Sequence, residues 1–187
     1  PGEAWGVAVS ESIVYVAGGE NGLLIINVDN PATPEIIGVV DTPHFAHDVA
    51  ASGTTVYVAD RESGMQIIDV SNPIQPAITG FYDTPGEALD IVILGSLAYI
   101  ADSYGGLQII NVSSPSASFR EGSIEHMGGY ASGLFVDGTT VYVATSYTGL
   151  YFVDANDPAN PTIIRSIETP GWAQDVILAG SSIYVAD

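Results

Sequence analysis

Short apolar runs recur along the whole chain, each closed by a turn carrying glycine, proline, asparagine or aspartate. Ala88 to Leu94 is one such run, ended by Gly95-Ser96. Leu97 to Ala101 follows, with the β-favouring Tyr99 and Ile100. Asp102 to Gly106 is a polar turn, Leu107 to Val112 is rich in isoleucine, and after a Ser-Ser-Pro turn a weaker strand falls near Arg120 to Glu125. One group earlier, the equivalent last strand reads Ala77 to Tyr82, after Asn72-Pro73-Ile74-Gln75-Pro76. Turn signals at intervals of about 8–12 residues predict antiparallel β structure. Helical spacing of apolar residues does not persist anywhere, and Pro and Gly at fixed offsets would interrupt a helix.

These groups are copies of one unit. Tyr15-Val16-Ala17 recurs as Tyr57-Val58-Ala59, Tyr99-Ile100-Ala101, Tyr142-Val143-Ala144 and Tyr184-Val185-Ala186, at spacings of 42, 42, 43 and 42 residues. Gly22-Leu23, Gly64-Met65, Gly106-Leu107 and Gly149-Leu150 keep step, as do Asn27, Asp69, Asn111 and Asp154, and Pro31, Pro73, Pro115 and Pro158. The extra residue falls between Ser118 and Ala131. Four strands per roughly 40–45 residues predict an all-β chain built as a β-propeller of four-stranded blades. Residues 1–187 then form one propeller domain or segment, with units 1–42, 43–84, 85–127 and 128–169 and a partial fifth, 170–187. Stacked blades bury both faces of each sheet, which explains strands that are apolar on both sides.

Gly106-Leu107-Gln108-Ile109-Ile110-Asn111-Val112-Ser113, with Ile67-Ile68-Asp69-Val70-Ser71-Asn72-Pro73 one unit earlier, resembles the LVIVD repeat. The resemblance spans essentially the whole chain. It implies β-propellers, mostly in secreted or surface-attached bacterial and archaeal proteins, and brings no shared catalytic motif. The fourth unit departs most, with Tyr151-Phe152-Val153-Asp154-Ala155, and the third has Ser118 in place of the second proline.

The chain opens on a first strand and stops after a second strand, and two such halves duplicate each other instead of completing one blade. Two expectations follow. The sequence is an excerpt, or a processed form, of a longer propeller of about six to eight blades. Alternatively, the unpaired edge at 183–186 and its apolar blade face dock onto other copies, giving a dimer or filament.

Charge narrows the partners. The 187 residues carry 22 Asp and Glu against three basic residues, Arg61, Arg120 and Arg165, for a formal charge of −19. A disordered acidic tail would be poor in apolar residues, whereas this chain is 47% hydrophobic. Such a field repels phosphate backbones and anionic lipid, so neither nucleic acid nor membrane insertion is expected. It suits an extracellular or cell-surface location, saline surroundings or a basic partner. The absence of cysteine removes disulfides, thiolate catalysis and cysteine-ligated metals.

In a propeller, the loops joining strand four to the next strand one share a face with those joining strands two and three. That face gathers Glu3, Trp5, His44, His47, Asp48, Glu87, Asp90, Tyr130, Trp172, Gln174 and Asp175, with Glu20, Asn21, Arg61, Glu62, Ser103, Tyr104, Ser146 and Tyr147 from the second loop set. Aromatics among carboxylates suit a protein or glycan ligand. Trp5, His44, His47, Arg61 and Trp172 break the repeat and are the best binding candidates, joined by Glu62, Tyr104 and Tyr147. Asp48, Asp90 and Asp175 also count among the ligand-binding candidates, although their shared column points to bonding of neighbouring loop amides. His44 and His47 begin a strand, where their spacing points them apart, so no transition-metal site is expected. No cofactor is expected; calcium is the one ion the carboxylate density suits. Asp154-Ala155-Asn156-Asp157-Pro158 reads as an Asx turn closed by proline, like its counterparts. With no Lys, no Cys and no Gly-x-Ser-x-Gly elbow, the chain is expected to be a non-catalytic scaffold. The alternative is a hydrolase or lyase with its site at the central channel.

Overall fold

The computed structural model describes residues 2–187. The first sheet contains β1 (Gly6–Ser10), β2 (Ile13–Ala17), β3 (Leu23–Asn27) and β4 (Glu35–Val40). The second contains β5 (Asp48–Ser52), β6 (Thr55–Ala59), β7 (Met65–Asp69) and β8 (Ala77–Tyr82). The third contains β9 (Asp90–Leu94), β10 (Leu97–Ala101), β11 (Leu107–Asn111) and β12 (Phe119–Ile124), the last preceded by a short 3-10 turn at Pro115–Ala117. The fourth contains β13 (Ala131–Asp137), β14 (Thr140–Thr145), β15 (Gly149–Asp154) and β16 (Thr162–Ile167), and a hairpin of β17 (Asp175–Ala179) and β18 (Ser182–Ala186) ends the chain. Each sheet is an antiparallel meander of sequential strands, the blade of a propeller-like repeat fold.

Every Tyr-Val-Ala segment is a second strand. The run from Ala88 behaves differently from its apolar appearance, because β9 starts only at Asp90. The Ala88 amide and carbonyl pair instead with Arg61 of the preceding blade, so the chain crosses between blades before it joins its own sheet. The extra residue lies in the β12–β13 connection, and β13 absorbs a bulge between Ala131 and Gly133.

Residues paired across neighbouring strands share a face. One face of each blade carries the tyrosine, the other the flanking valines or their equivalents. Tyr15, Leu23 and Ile25 pack against Val49, Val56, Val58 and Ile68 of the second blade. Tyr57, Met65 and Ile67 meet Ile91, Ile100 and Ile110 of the third. Tyr99, Leu107 and Ile109 meet Leu134, Val141, Val143 and Val153 of the fourth. Leu150, Phe152 and Tyr142 meet Val176, Ile183 and Val185 of the terminal hairpin. Each fully buried aliphatic side chain contributes about 1.5–3 kcal/mol. The first strands adjoin in order, β1 by β5, β5 by β9, β9 by β13 and β13 by β17, along the inner axis. The arc leaves a valine face uncovered at one end, with Val7 64% and Val9 63% exposed, and a tyrosine face at the other, with Ile177 and Tyr184 exposed.

Two glycine columns allow close backbone approach, the first within each blade and the second between blades. Gly22, Gly64, Gly106 and Gly149 have φ of +65°, +65°, +75° and +83°, a region that a side chain disfavours. A Cβ there would also stand 2.1–2.3 Å from the carbonyl oxygen of Val40, Tyr82, Ile124 or Ile167. Gly38, Gly80 and Gly122 admit the proline carbonyl of the next blade, which a Cβ would meet at 2.0–2.2 Å.

Candidate functional site on the loop face

The turn between strands two and three of a blade pairs with the loop entering the next blade. Gly19 bridges to Ala46, Arg61 to Ala88 and Ser103 to Ala131. Arg61 and Ser103 hold the left-handed backbone that Gly19 adopts freely, at φ +46° and +48°. These paired loops form a firm platform, on which equivalent positions carry different side chains.

Asp60 and Asp102, at the ends of β6 and β10, clamp the incoming loops. Asp60 accepts from Thr42 Oγ1 at 2.7 Å and the His44 amide at 3.0 Å. Asp102 accepts from Thr84 Oγ1 at 2.6 Å and the Gly86 amide at 2.8 Å. Asp187 accepts from the Gly171 amide at 2.7 Å. Burial raises the Asp102 carboxyl to about 6 despite these donors, and raises Asp60 as well. Loop-face reading of single residues passes over these clamps; their signal is the repeated Thr-Pro at Thr42, Thr84 and Thr169, each followed eighteen residues later by aspartate. In the fourth blade hydroxyls replace the carboxylate: Thr145 Oγ1 donates to the Gly149 carbonyl and Thr148 Oγ1 to that of Met127, both at 2.9 Å.

Trp5, His47, Asp48, Asp90 and Asp175 meet around a cavity of about 240 Å³ at the inner axis, with Leu89, Ser132, Gly133 and Gln174. Asp48 accepts from the Ile91 amide at 3.1 Å, and Asp90 from the Leu134 amide at 2.6 Å. These carboxyls thus tie blade two to blade three and blade three to blade four. Asp175 accepts from its own neighbour, Val176, at 2.7 Å. Burial raises both Asp48 and Asp90; Asp90 lies well above the usual range because the negative charge of Asp48 adds to its burial. Both protonated forms are favoured by burial, and that of Asp90 the more strongly because of its like-charged neighbour. His47 Nδ1 donates to the Leu89 carbonyl at 2.5 Å, and burial lowers its pKa, which keeps the ring neutral.

Two aromatic groups stand on this face, one at the rim of the cavity and one away from it. Trp5 lies edge-on to Phe45 at 5.4 Å and tilted to His47 at 5.2 Å, and the Arg61 guanidinium sits 5.0 Å over Phe45. Tyr147 joins Tyr130 at 5.5 Å and Trp172 at 5.6 Å, with Tyr104 exposed on the neighbouring turn. His44 turns away from His47 to face Glu62 at 3.6 Å, with both side chains open to solvent. Among the described residues, no three His, Asp or Glu side chains are grouped to hold a metal ion. Asn27, Asp69, Asn111 and Asp154 each accept a backbone amide two residues on, at 2.7–3.1 Å, which is the Asx turn expected from the column. Within the described residues no helix is long and apolar enough to cross a membrane.

The LVIVD repeat profile matches residues 1–42, 45–84, 85–124 and 128–169, so this chain belongs to the LVIVD repeat family. No curated protein matches it in sequence. Among solved structures, the computationally designed Ika8 protein superposes with a TM-score of 0.75 at 10% identity, over 96% of this chain and 54% of that one. A functionally unknown protein from Desulfotomaculum acetoxidans superposes with a TM-score of 0.81 at 16% identity, over 99% of this chain and 63% of that one. The chain thus spans between half and two thirds of the length of these structures, and the likeness is one of fold.

Proposed function

We propose that the chain is a non-catalytic scaffold within an extracellular or cell-surface protein, presenting its loop face to a protein or carbohydrate partner. One observation carries this reading. Backbone pairing recurs at successive blade junctions and carboxylate clamps at Asp60, Asp102 and Asp187, while the exposed loop-face positions vary and hold both tryptophans of the chain. Repetition of framework with variation of display is what a recognition surface needs. The location rests on the family resemblance and on a charge of −19 without lysine. Trp5 and Trp172 make intrinsic fluorescence a direct probe of this face. A bound partner is expected to shift their emission, and Tyr147→Ala, which leaves both tryptophans in place, to weaken binding read from that shift. A partner that binds with neither effect would refute the loop-face assignment.

A second reading, self-association through the chain ends, draws on the uncovered valine and tyrosine faces. The opposing enzyme reading, a hydrolase or lyase at the axis, would draw on Asp48 and Asp90. Their bonds to the Ile91 and Leu134 amides support a structural role instead.

A further inference from the structure

We infer that the loop face receives a basic, arginine-bearing protein segment; this rests on reading that face as the recognition surface. The display positions divide into two halves. On the loops entering the blades, one equivalent position reads Glu3, Phe45, Glu87, Tyr130 and Trp172. On the turns between strands two and three, it reads Glu20, Glu62, Tyr104 and Tyr147. Carboxylates thus predominate over the first blades and aromatic rings over the last. The backbone beneath is the same, so the difference lies in what is displayed.

The rings are open. Tyr147 is 58% and Trp172 62% exposed, and their edge-on contact at 74° leaves faces free for a planar group. The protein's own arginines show what such rings accept: Arg61 lies 5.0 Å over Phe45, and Arg165 4.7 Å over Phe152. A guanidinium both stacks on aromatic faces and forks onto carboxylates, so one side-chain type satisfies both halves. A neutral sugar would stack on the rings but leave the adjoining carboxylates uncompensated. Nucleic acid would be repelled.

The test titrates the folded 187-residue protein with octa-arginine, octa-lysine and cellohexaose at physiological salt, by tryptophan emission and calorimetry. Octa-arginine is expected to bind about tenfold more tightly than octa-lysine, because lysine lacks the planar fork. Tyr147→Ala/Trp172→Ala and Glu62→Gln/Glu87→Gln are each expected to weaken it about tenfold, with melting temperature confirming that each variant folds. Glu11→Gln/Glu35→Gln, on the opposite rim, should change it little. Equal loss in that opposite-rim pair, or no binding of octa-arginine, would overturn the inference. Binding of cellohexaose alone, abolished by Tyr147→Ala/Trp172→Ala, would overturn the basic partner and keep the loop face. Indifference of every probe to both loop-face pairs would overturn both.

Discussion

Asp102 holds the loop entering its blade with two donors, yet burial raises its pKa to about 6. A carboxyl raised above its unfolded value of 3.8 binds its proton more tightly in the folded state. Its contribution is full below that unfolded value and falls away as pH rises through 6. Melting temperature should therefore decline from pH 4 to 6 by a component that Asp102→Asn removes. At pH 7.5 the same variant should lose about 1–2 kcal/mol, because Thr84 and Gly86 donate to different oxygens of Asp102 and the amide places an NH2 donor where one of them stood. Asp90 differs. Burial, with the charge of Asp48 added to it, raises the Asp90 carboxyl, so the folded state favours the protonated form. As pH rises, the parent should lose stability relative to Asp90→Asn, because only the parent has a proton to lose. Thermal melts across pH check both. The column containing Asp48, Asp90 and Asp175 was legible as amide-bonding. The raised carboxyls of Asp48 and Asp90 were not, because they depend on two blades placing like charges side by side.

Strands and turns were read well where the cause is local. Glycines at positive φ and the Asx column announce themselves, since turn chemistry acts within a few residues. Gly38, Gly80 and Gly122 do not, because the atom that excludes a side chain belongs to the next blade. Gly80→Ala and Gly95→Ala separate these causes. A Cβ on Gly80 would meet the Pro115 carbonyl at 2.0 Å, whereas one on Gly95 meets nothing within 4 Å but must tolerate φ +62°. Gly95→Ala should cost about 1–2 kcal/mol, and Gly80→Ala should cost more, with the β8 strand and the Pro115 turn losing protection together in hydrogen exchange. In the fourth blade the column holds Arg165, folded over Phe152, so its outer strand presents a different surface.

At the level of the molecule, every blade junction joins a tyrosine face to a valine face, and the arc ends with one of each exposed. Val7 and Val9 sit beside Val14 and Val16 on an open sheet, a patch that favours covering. The isolated 187-residue chain should sediment as larger species with rising concentration, and Val9→Glu should return it towards the monomer. A monomer at every concentration would show that charge repulsion among copies of −19 outweighs the apolar gain.

Repeat length, strand content and blade architecture were determined by the sequence alone, because apolar runs, turn residues and their period act locally and recur in phase. Tertiary structure decided which side chains share a neighbour. Asp60 and Asp102 became clamps, and Tyr147 and Trp172 one aromatic pair, only once folding joined loops 16 to 25 residues apart, and Asp90 a tie between blades only once stacking closed a separation of 44 residues. Burial and like-charge proximity are properties of that stacking, and no pattern along a single unit contains them.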